Sequence, residues 1–253
     1  MKPMNRAVLL AAAVLATALS TNAAEKHSPA MHWGYSGKAG PDKWGLLSDE
    51  FSLCNSGQRE SPVDLNATLK SSAAISFHYK QSPLDIVNNG HTIQVNYAPG
   101  SYAELGGKRY ELAQFHFHSP SEHTVNGKHA EMEVHLVHRD KDGKLAVVGV
   151  FLKPGHELAG LAATWKNLPK TEGEKPVAGA SVDASSLLPK RAEVYTYSGS
   201  LTTPPCSEGV SWFVMVDPAE VSAEQIKVFQ AIVSPNARPV QPLNSRGAMA
   251  AHR

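Results

Sequence analysis

Apolar and polar residues alternate along several short segments of this chain, and turn-forming pairs such as Asn89-Gly90 and Asp142-Gly143 separate them. Successive side chains of a strand point to opposite faces, so this alternation predicts strands with one buried face. Residues 144–152 are apolar almost throughout, as expected for a central strand buried on both faces. The predicted strands are residues 75–79, 92–97, 114–118, 131–137, 144–152, 193–197 and 210–216.

Helical spacing of apolar residues is confined to two segments. Residues 156–165 form the first, and the second begins at Ser222, an N-cap residue that Gln225 follows three positions later. No repeat, low-complexity tract or linker divides the chain between these elements. The pattern therefore predicts a single β-dominated α+β domain with small helices at its periphery.

The N-terminus differs from the rest of the chain. A positively charged start precedes an almost unbroken apolar run over residues 7–19, and small residues follow up to Ala24. This order is that of a secretory signal peptide, and the run is too short to span a membrane comfortably. We expect residues 1–24 to be removed, which leaves residues 25–253 as an exported domain, periplasmic or secreted, without a membrane span.

Composition and charge exclude some classes of function. The chain has 253 residues, of which 42% are hydrophobic and 19% charged, so it can bury a substantial core. Its formal net charge is +1 without a basic block, which argues against a nucleic-acid partner. Cys54 and Cys206 are the only cysteines, and export favours a disulfide between them, two separate buried thiols being the alternative.

The histidines carry the strongest chemical signal. His116 and His118 are two apart on a predicted strand, so their side chains leave the same face about 7 Å apart and can converge on one ion. On a following strand His135 and His138 lie on opposite faces. His135 shares its face with Glu133 and Glu131, a costly burial unless these groups are paired or bind something. This favours His135 as the third ligand. Three imidazoles that leave a fourth position open are typical of a catalytic zinc site.

Neighbouring residues support this interpretation and also allow another. Gln114 and Glu133 share the faces of the histidines and could accept their spare ring N–H groups. The spacing of His116, His118 and Glu122 also fits the first motif of a cupin, in which the glutamate is a ligand. A cupin needs a second motif, and the one candidate, at residues 154–156, has the wrong spacing.

Longer stretches of the chain resemble the α-class carbonic anhydrases, in particular the exported bacterial type. The most specific stretches are QFHFH at residues 114–118, EMEVHLVH at 131–138 and SLTTPPC at 200–206. The resemblance continues collinearly over nearly the whole mature chain, and one departure is Glu60, where the family usually has glutamine. The other resembling stretches are residues 32–37, 40–44, 61–65, 88–91, 121–127, 197–199 and 236–243.

The resemblance implies a single domain around a twisted, mostly antiparallel sheet of ten strands, with a zinc ion at the base of a cleft. It implies reversible hydration of carbon dioxide to bicarbonate and a proton through a zinc-bound hydroxide. The zinc ligands would be His116, His118 and His135. The groups that orient them would be Gln114, Glu133 and the backbone carbonyl of Asn236.

The same resemblance implies roles for the residues around the metal. Thr202 would accept a hydrogen bond from the hydroxide and donate one to Glu122. His91 would carry the proton out of the cleft, since the ordinary histidine pKa of about 6.5 suits transfer near neutral pH. The substrate pocket would be lined by Val137, Val147, Leu201, Thr203, Val210 and Trp212, and the polar wall by Tyr35, Asn89 and Gln94.

Partners follow from the same resemblance. Sulfonamides and anions would inhibit at the open metal position, and Cys54 and Cys206 would pair as in exported members of the family. Exported bacterial members are often dimers, so a homodimer stays open. Two other functions compete: a metal-free binding module, which the complete ligand set opposes, and an esterase, which no residue favours.

Overall fold

The computed structural model of this chain describes residues 32–249, so the predicted signal peptide, residues 1–24, lies outside the described residues. Its strands are β1 Asp64–Leu65, β2 Lys70–Ser71, β3 Ile75–His78, β4 Ser82–Asn88, β5 Ile93–Asn96, β6 Tyr102–Leu105, β7 Lys108–His118, β8 Thr124–Val125, β9 Lys128–His129, β10 Met132–Arg139, β11 Leu145–Pro154, β12 Gly173–Val182, β13 Val194–Ser200, β14 Glu208–Met215 and β15 Ala219–Val221. Its helices are α1 Trp44–Leu47, α2 Leu53–Ser56, α3 Ala162–Lys166 and α4 Ala223–Gln230, with short 3-10 turns at Gly37–Ala39, Asp49–Phe51, Ala67–Leu69, Ala159–Leu161 and Ala184–Leu187.

One large sheet of twelve strands forms the centre of the fold. Its main order is β12-β4-β5-β7-β10-β11-β14-β13-β2, while β6 pairs with β7, β3 with β6 and β15 with β11. Most neighbours are antiparallel, but β11 runs parallel to β14 and β15. The predicted β-dominated class is confirmed. The sheet has twelve strands where the resemblance implied ten: nine form the main order, and the short strands β3, β6 and β15 lie beside it.

The pairing of β7 with β10 sets the faces of the sheet at its centre. His135 lies opposite His116 and Val134 opposite Phe117, in antiparallel register. Phe117 and Val134 belong to the larger apolar cluster, on one face. The other face carries the histidines and a second cluster that includes Val147 and Trp212. The strand period thus gives one face to the core and the other to polar chemistry.

The two predicted helices have different outcomes. Helix α4 begins after Ser222 as predicted, with the hydroxyl of Ser222 accepting from the Gln225 amide and the Gln225 side chain accepting from the Ser222 amide. The segment 156–165 is helical only from residue 159 onward. The amide of His156 donates instead to Glu220, and that of Leu158 donates to Gln225. These tertiary partners replace the first turn of the predicted helix. Across residues 32–249, no helix combines the length and hydrophobicity needed to cross a membrane.

Candidate metal centre

Three histidines converge on one point of the sheet. His116 and His118 come from β7 and His135 from its neighbour β10, and one ring nitrogen of each lies within 4.8 Å of the others. His118 and His135 are buried, whereas His116 is partly open to a cleft. The strand pairing brings together the three residues that the sequence predicts as ligands.

One nitrogen of each ring faces an acceptor, and two of the three pairs are hydrogen bonds. Nδ1 of His116 lies 2.8 Å from Oε1 of Gln114, and Nδ1 of His118 lies 2.7 Å from the Asn236 carbonyl. Nε2 of His135 lies 2.9 Å from Oε1 of Glu133, although the two atoms are not aligned as a hydrogen bond. The free nitrogens are then Nε2 of His116, Nε2 of His118 and Nδ1 of His135. Such acceptors fix the tautomer and the direction of metal-binding imidazoles.

Glu133 is held by several donors besides His135. Its Oε2 accepts from the backbone amides of Glu122 and His123, both at 2.9 Å, and its Oε1 lies 2.8 Å from Nδ1 of His123. Burial acts to raise the pKa of Glu133, but His123 and His135 outweigh it and hold that pKa well below its usual range. A Cβ on Gly149, which pairs with His135 across the strands, would lie 2.8 Å from Oε1. The fold thus leaves room for an ionised carboxylate here.

The charge states of the three rings follow from their surroundings. Although His116 retains some solvent contact, burial lowers its pKa well below the ordinary value, and the His118 and His135 rings act in the same direction. Burial also lowers the pKa of His118, although Glu122 opposes this. Burial acts to lower the pKa of His135, but the Glu133 carboxylate and then Glu122 outweigh it and raise that pKa. Neutral imidazoles are the form that binds metals.

A cleft of about 170 Å³ opens over the three histidines. The predicted polar-wall residues and most of the predicted pocket residues line it. Val210 is not among the residues that line the cleft; it packs with Val147 and Trp212 in the second apolar cluster. The residues that line the cleft are Trp33, Tyr35, Asn89, His91, Thr92, Gln94, Gln114, His116, His118, His135, Val137, Val147, Leu201, Thr202, Thr203 and Trp212.

Glu122 and Thr202 are near the site. Oε1 of Glu122 accepts from the backbone amide of Arg238 at 2.9 Å. Its Oε2 has no hydrogen-bond partner within residues 32–249 and lies 3.5 Å from Nε2 of His118 and 3.8 Å from Nδ1 of His135. Oε2 of Glu122 thus lies beside the imidazoles, and its expected contact with Thr202 stays a prediction.

His91 lies at the mouth of the cleft, after the turn at Asn89. Its ring stacks on Trp33 with centroids 3.6 Å apart, and His32 lies beyond at 5.2 Å from His91. Burial, and then the charge of His32, lower the pKa of His91 below its ordinary value, while Glu172 acts in the opposite direction. The side chain is partly exposed, so it can exchange protons with solvent.

A disulfide joins Cys54 to Cys206, as the resemblance implied. The amide of Cys206 donates to the carbonyl of Thr203 at 2.8 Å, which closes a tight turn at the edge of the cleft. The covalent bond therefore ties this turn to the N-terminal helical segment.

A larger groove, of about 960 Å³, lies on the surface between residues 97–99, 108–113 and 139–144. Its charged side chains are largely exposed, and some pair with one another, as Lys141 does with Asp142. It contains no cluster of oriented histidines. The larger cavity volume therefore does not mark the functional site, and the smaller cleft over the three histidines is the candidate site.

Several features of this centre are absent from the sequence-based picture. His123 lies between Glu133 and the hydroxyl of Tyr197, from which its Nε2 is 2.7 Å distant. Gly149 provides space, and Arg238 holds Glu122. The only sequence signal for these features is the pattern of Glu133 and His135 on one buried face. It indicates that these two side chains have partners, but it does not identify the partners.

Sequence similarity extends over almost the whole described chain. The family model for eukaryotic-type carbonic anhydrases matches residues 39–251. The chain belongs to the α-class carbonic anhydrase family. The carbonic anhydrase of Nostoc sp. is 46% identical over 94% of this chain and 93% of its own length. That of Neisseria gonorrhoeae is 44% identical over 92% of this chain and 94% of its own length.

Structural similarity agrees with this assignment. The α-carbonic anhydrase of Thermovibrio ammonificans, solved in complex with the inhibitor sulfanilamide, matches with a TM-score of 0.82 and 49% sequence identity. The match covers 85% of this chain and 97% of that protein. The family resemblance stated from the sequence is confirmed.

Proposed function

We propose that this protein hydrates carbon dioxide reversibly to bicarbonate and a proton, with zinc held by His116, His118 and His135. The observation that carries the proposal is the convergence of three imidazoles whose outer nitrogens are each turned to an acceptor. Three imidazole nitrogen donors with one side open to a cleft suit a catalytic zinc ion. Membership of the α-carbonic anhydrase family supports the reaction.

One ligand atom that lacks a hydrogen-bond partner also supports a bound zinc ion. Nε2 of His118 is buried without a hydrogen-bond partner among the described residues, a costly arrangement that a bound cation would relieve. When bound, zinc supplies a Lewis acid that brings the pKa of a coordinated water towards neutrality, as is established for carbonic anhydrases.

The walls of the cleft are suited to an uncharged substrate. Val137, Val147 and Trp212 form an apolar surface beside the histidines, and Leu201 extends it. Carbon dioxide has no net charge or dipole, so an apolar wall accepts it without loss of hydrogen bonds. Thr203 completes this pocket, and Thr202 with Glu122 is proposed to orient the attacking water.

Hydration releases a proton, and the opposite wall of the cleft is polar. Tyr35, Asn89 and Gln94 line it between the histidines and the mouth, where His91 stacks on Trp33. We propose that ordered water along this wall passes the proton to His91. A histidine at the solvent boundary can accept and release it near neutral pH.

Metal analysis and kinetics on one preparation test the reaction. The processed protein should contain about one equivalent of zinc and accelerate carbon dioxide hydration in stopped-flow measurements. Removal of zinc by a chelator should abolish the activity, and zinc should restore it. A zinc-loaded, folded protein without hydration activity would contradict the proposal.

The shuttle role of His91 is tested separately. We expect His91→Ala to lower maximal turnover in dilute buffer by at least about tenfold, because proton release becomes limiting. Added imidazole should restore much of the rate, while kcat/KM stays close to that of the unsubstituted protein. An unchanged turnover in dilute buffer would remove the role.

Ligands, location and assembly complete the proposal. The relative from Thermovibrio ammonificans was solved with sulfanilamide, which supports inhibition of this protein by aromatic sulfonamides and by anions at the metal. We also propose that residues 1–24 are a signal peptide, that residues 25–253 are the exported enzyme, and that it works in the periplasm or outside the cell. Light scattering of the processed protein decides between monomer and homodimer.

A further inference from the structure

Glu60 is a buried acid that lies outside the candidate metal centre. It is 4% exposed, and its Oε2 accepts from Nη1 of Arg238 at 2.7 Å. Arg238 is 1% exposed, so the two charges form a fully buried ion pair. A pair of this kind is sensitive to geometry, because the lost hydration of both charges must be offset by close contact.

Only one oxygen of the Glu60 carboxylate, Oε2, has hydrogen-bond partners; the buried Oε1 has none within residues 32–249. A Cβ on Gly57 would overlap its Oε1, so a side chain at that position would displace the carboxylate. The hydroxyl of Ser200 lies 3.4 Å from Oε2 and accepts from the amide of Ser61 at 2.9 Å. Ser200 precedes Thr202 by two residues, so Glu60 lies at the base of the turn that borders the cleft.

Arg238 is fixed by more than Glu60. Its Nη1 also donates to the Ser61 carbonyl at 2.7 Å, and its Nη2 donates to the Cys54 carbonyl at 2.8 Å. Its guanidinium lies 5.7 Å from the ring centre of Trp44. One carboxylate and two carbonyls accept from the planar guanidinium in fixed directions, so the group has little freedom to rotate. The position of the Arg238 backbone is restricted as a result.

The backbone of Arg238 reaches the candidate site directly. Its amide donates to Oε1 of Glu122 at 2.9 Å, and this is the one hydrogen bond to the Glu122 side chain within the part of the chain that the structure describes. Glu122 Oε2 then lies 3.5 Å from Nε2 of His118. A shift of Arg238 would therefore move the carboxylate beside the metal ligands.

We infer that Glu60 is a positioning residue for the reaction, acting through Arg238 on Glu122. The inference rests on the proposed function, since it concerns the rate of hydration at the same site. Glu60 touches neither substrate nor metal ligands. Its part is to set the place of the Arg238 amide, and with it the direction of the Glu122 carboxylate.

Two conservative variants separate position from charge. Glu60→Asp keeps the charge but withdraws the carboxylate by one methylene, whereas Glu60→Gln keeps the reach of the acceptor and removes the charge. We expect Glu60→Asp to lower kcat/KM for carbon dioxide hydration by about tenfold, because small displacements at a reacting centre are costly. Glu60→Gln should stay within about twofold of the unsubstituted protein.

Rates are expressed per folded, zinc-containing molecule, with folding checked by thermal unfolding, so lost stability is not counted as lost catalysis. Tyr79→Phe is the matched control, because it removes a partly buried hydrogen bond to His138, which is not a contact of Arg238, and should leave kcat/KM unchanged. Should Glu60→Asp fail to fold, Arg238→Lys, which loses the fork to Ser61 and Cys54, is expected to show the same tenfold loss.

Two outcomes would overturn the inference: Glu60→Asp with kcat/KM within twofold of the unsubstituted protein, or Glu60→Gln as slow as Glu60→Asp. Neither would affect the proposed function, which fails only if the unsubstituted, zinc-loaded protein does not hydrate carbon dioxide.

Discussion

The two faces of the β7–β10 pair are built from the same strands but obey different rules. On one face Phe115, Phe117 and Leu136 are buried in the larger apolar cluster, where shape and volume decide stability. On the other face the histidines are held through hydrogen bonds and charge. Substitutions on the core face therefore act mainly by changing the volume that the side chains fill. Substitutions on the site face act mainly by changing the direction in which the histidine rings point.

Two histidines of β10 make the comparison within one strand. His135 and His138 are both buried, but His138 lies on the core side, where its Nε2 is 2.8 Å from the hydroxyl of Tyr79. Within residues 32–249 no acidic group contributes to the pKa of His138, and burial lowers that pKa to about 4. The same residue type is a candidate ligand on one face and a neutral core residue on the other.

The largest expected effect is on zinc binding, and it should distinguish His135 from His138. We expect His135→Ala to weaken zinc binding by at least about 1,000-fold, because the loss of an orienting partner alone typically costs 10–100-fold. His138→Gln should retain zinc and hydration activity per folded molecule. Competition with a chromophoric chelator measures both affinities. Equal loss of zinc affinity in the two variants would show that the face of the strand on which a histidine lies does not decide whether it binds the metal.

On the core face, Phe117→Ala should lower the free energy of unfolding by about 3–5 kcal/mol, because it leaves a cavity among packed side chains. Val137→Ala, on the cleft face and only partly buried, should cost clearly less. Denaturant unfolding of the zinc-free proteins gives both values. A larger loss for Val137→Ala would contradict the division of the two faces.

Low pH should lower the free energy of unfolding through His138. Its pKa is about 4 in the folded protein and about 6.5 in the unfolded chain, so the unfolded chain takes up the proton first as pH falls. The stability contribution is complete above pH 6.5 and is lost between pH 6.5 and 4, about 3 kcal/mol in all. His138→Gln should show a correspondingly shallower loss of unfolding free energy in that range, and parallel curves would refute the assignment.

The smallest expected effect concerns an orienting group. Gln114→Ala removes the acceptor from Nδ1 of His116 and should weaken zinc binding by about 10–100-fold. Gln114→Glu restores an acceptor and should recover most of the affinity. If both variants bind zinc as tightly as the unsubstituted protein, the direction of the His116 ring is set by packing alone.

Local geometry explains which parts of the site were predictable from the sequence. The pairing of His116 with His118, the preference for His135 over His138 and the place of Gln114 all follow from the period of two in a strand. The capping of α4 by Ser222 and Gln225 is equally local. Such features need only a few neighbouring residues, which the sequence prints side by side.

Long-range contacts explain what the sequence left out. The Asn236 carbonyl meets His118 and the Arg238 amide meets Glu122 across more than a hundred residues. Residues 156–158 have helical spacing, yet partners on β15 and α4 take their amides. Asn236 and the shuttle candidate His91 were reached through family resemblance, since no local pattern distinguishes either from a surface loop residue.

The disulfide between Cys54 and Cys206 closes the chain into a ring, with an N-terminal segment before Cys54 and a C-terminal tail after Cys206. The three histidines, Glu122 and Thr202 all belong to the ring, which the bond closes across 152 residues. Asn236 and Arg238 belong to the tail, and only noncovalent contacts return them to the site. Refolding with the bond intact therefore begins with the ligands on one closed loop, and the tail must still find that loop to orient His118 and Glu122.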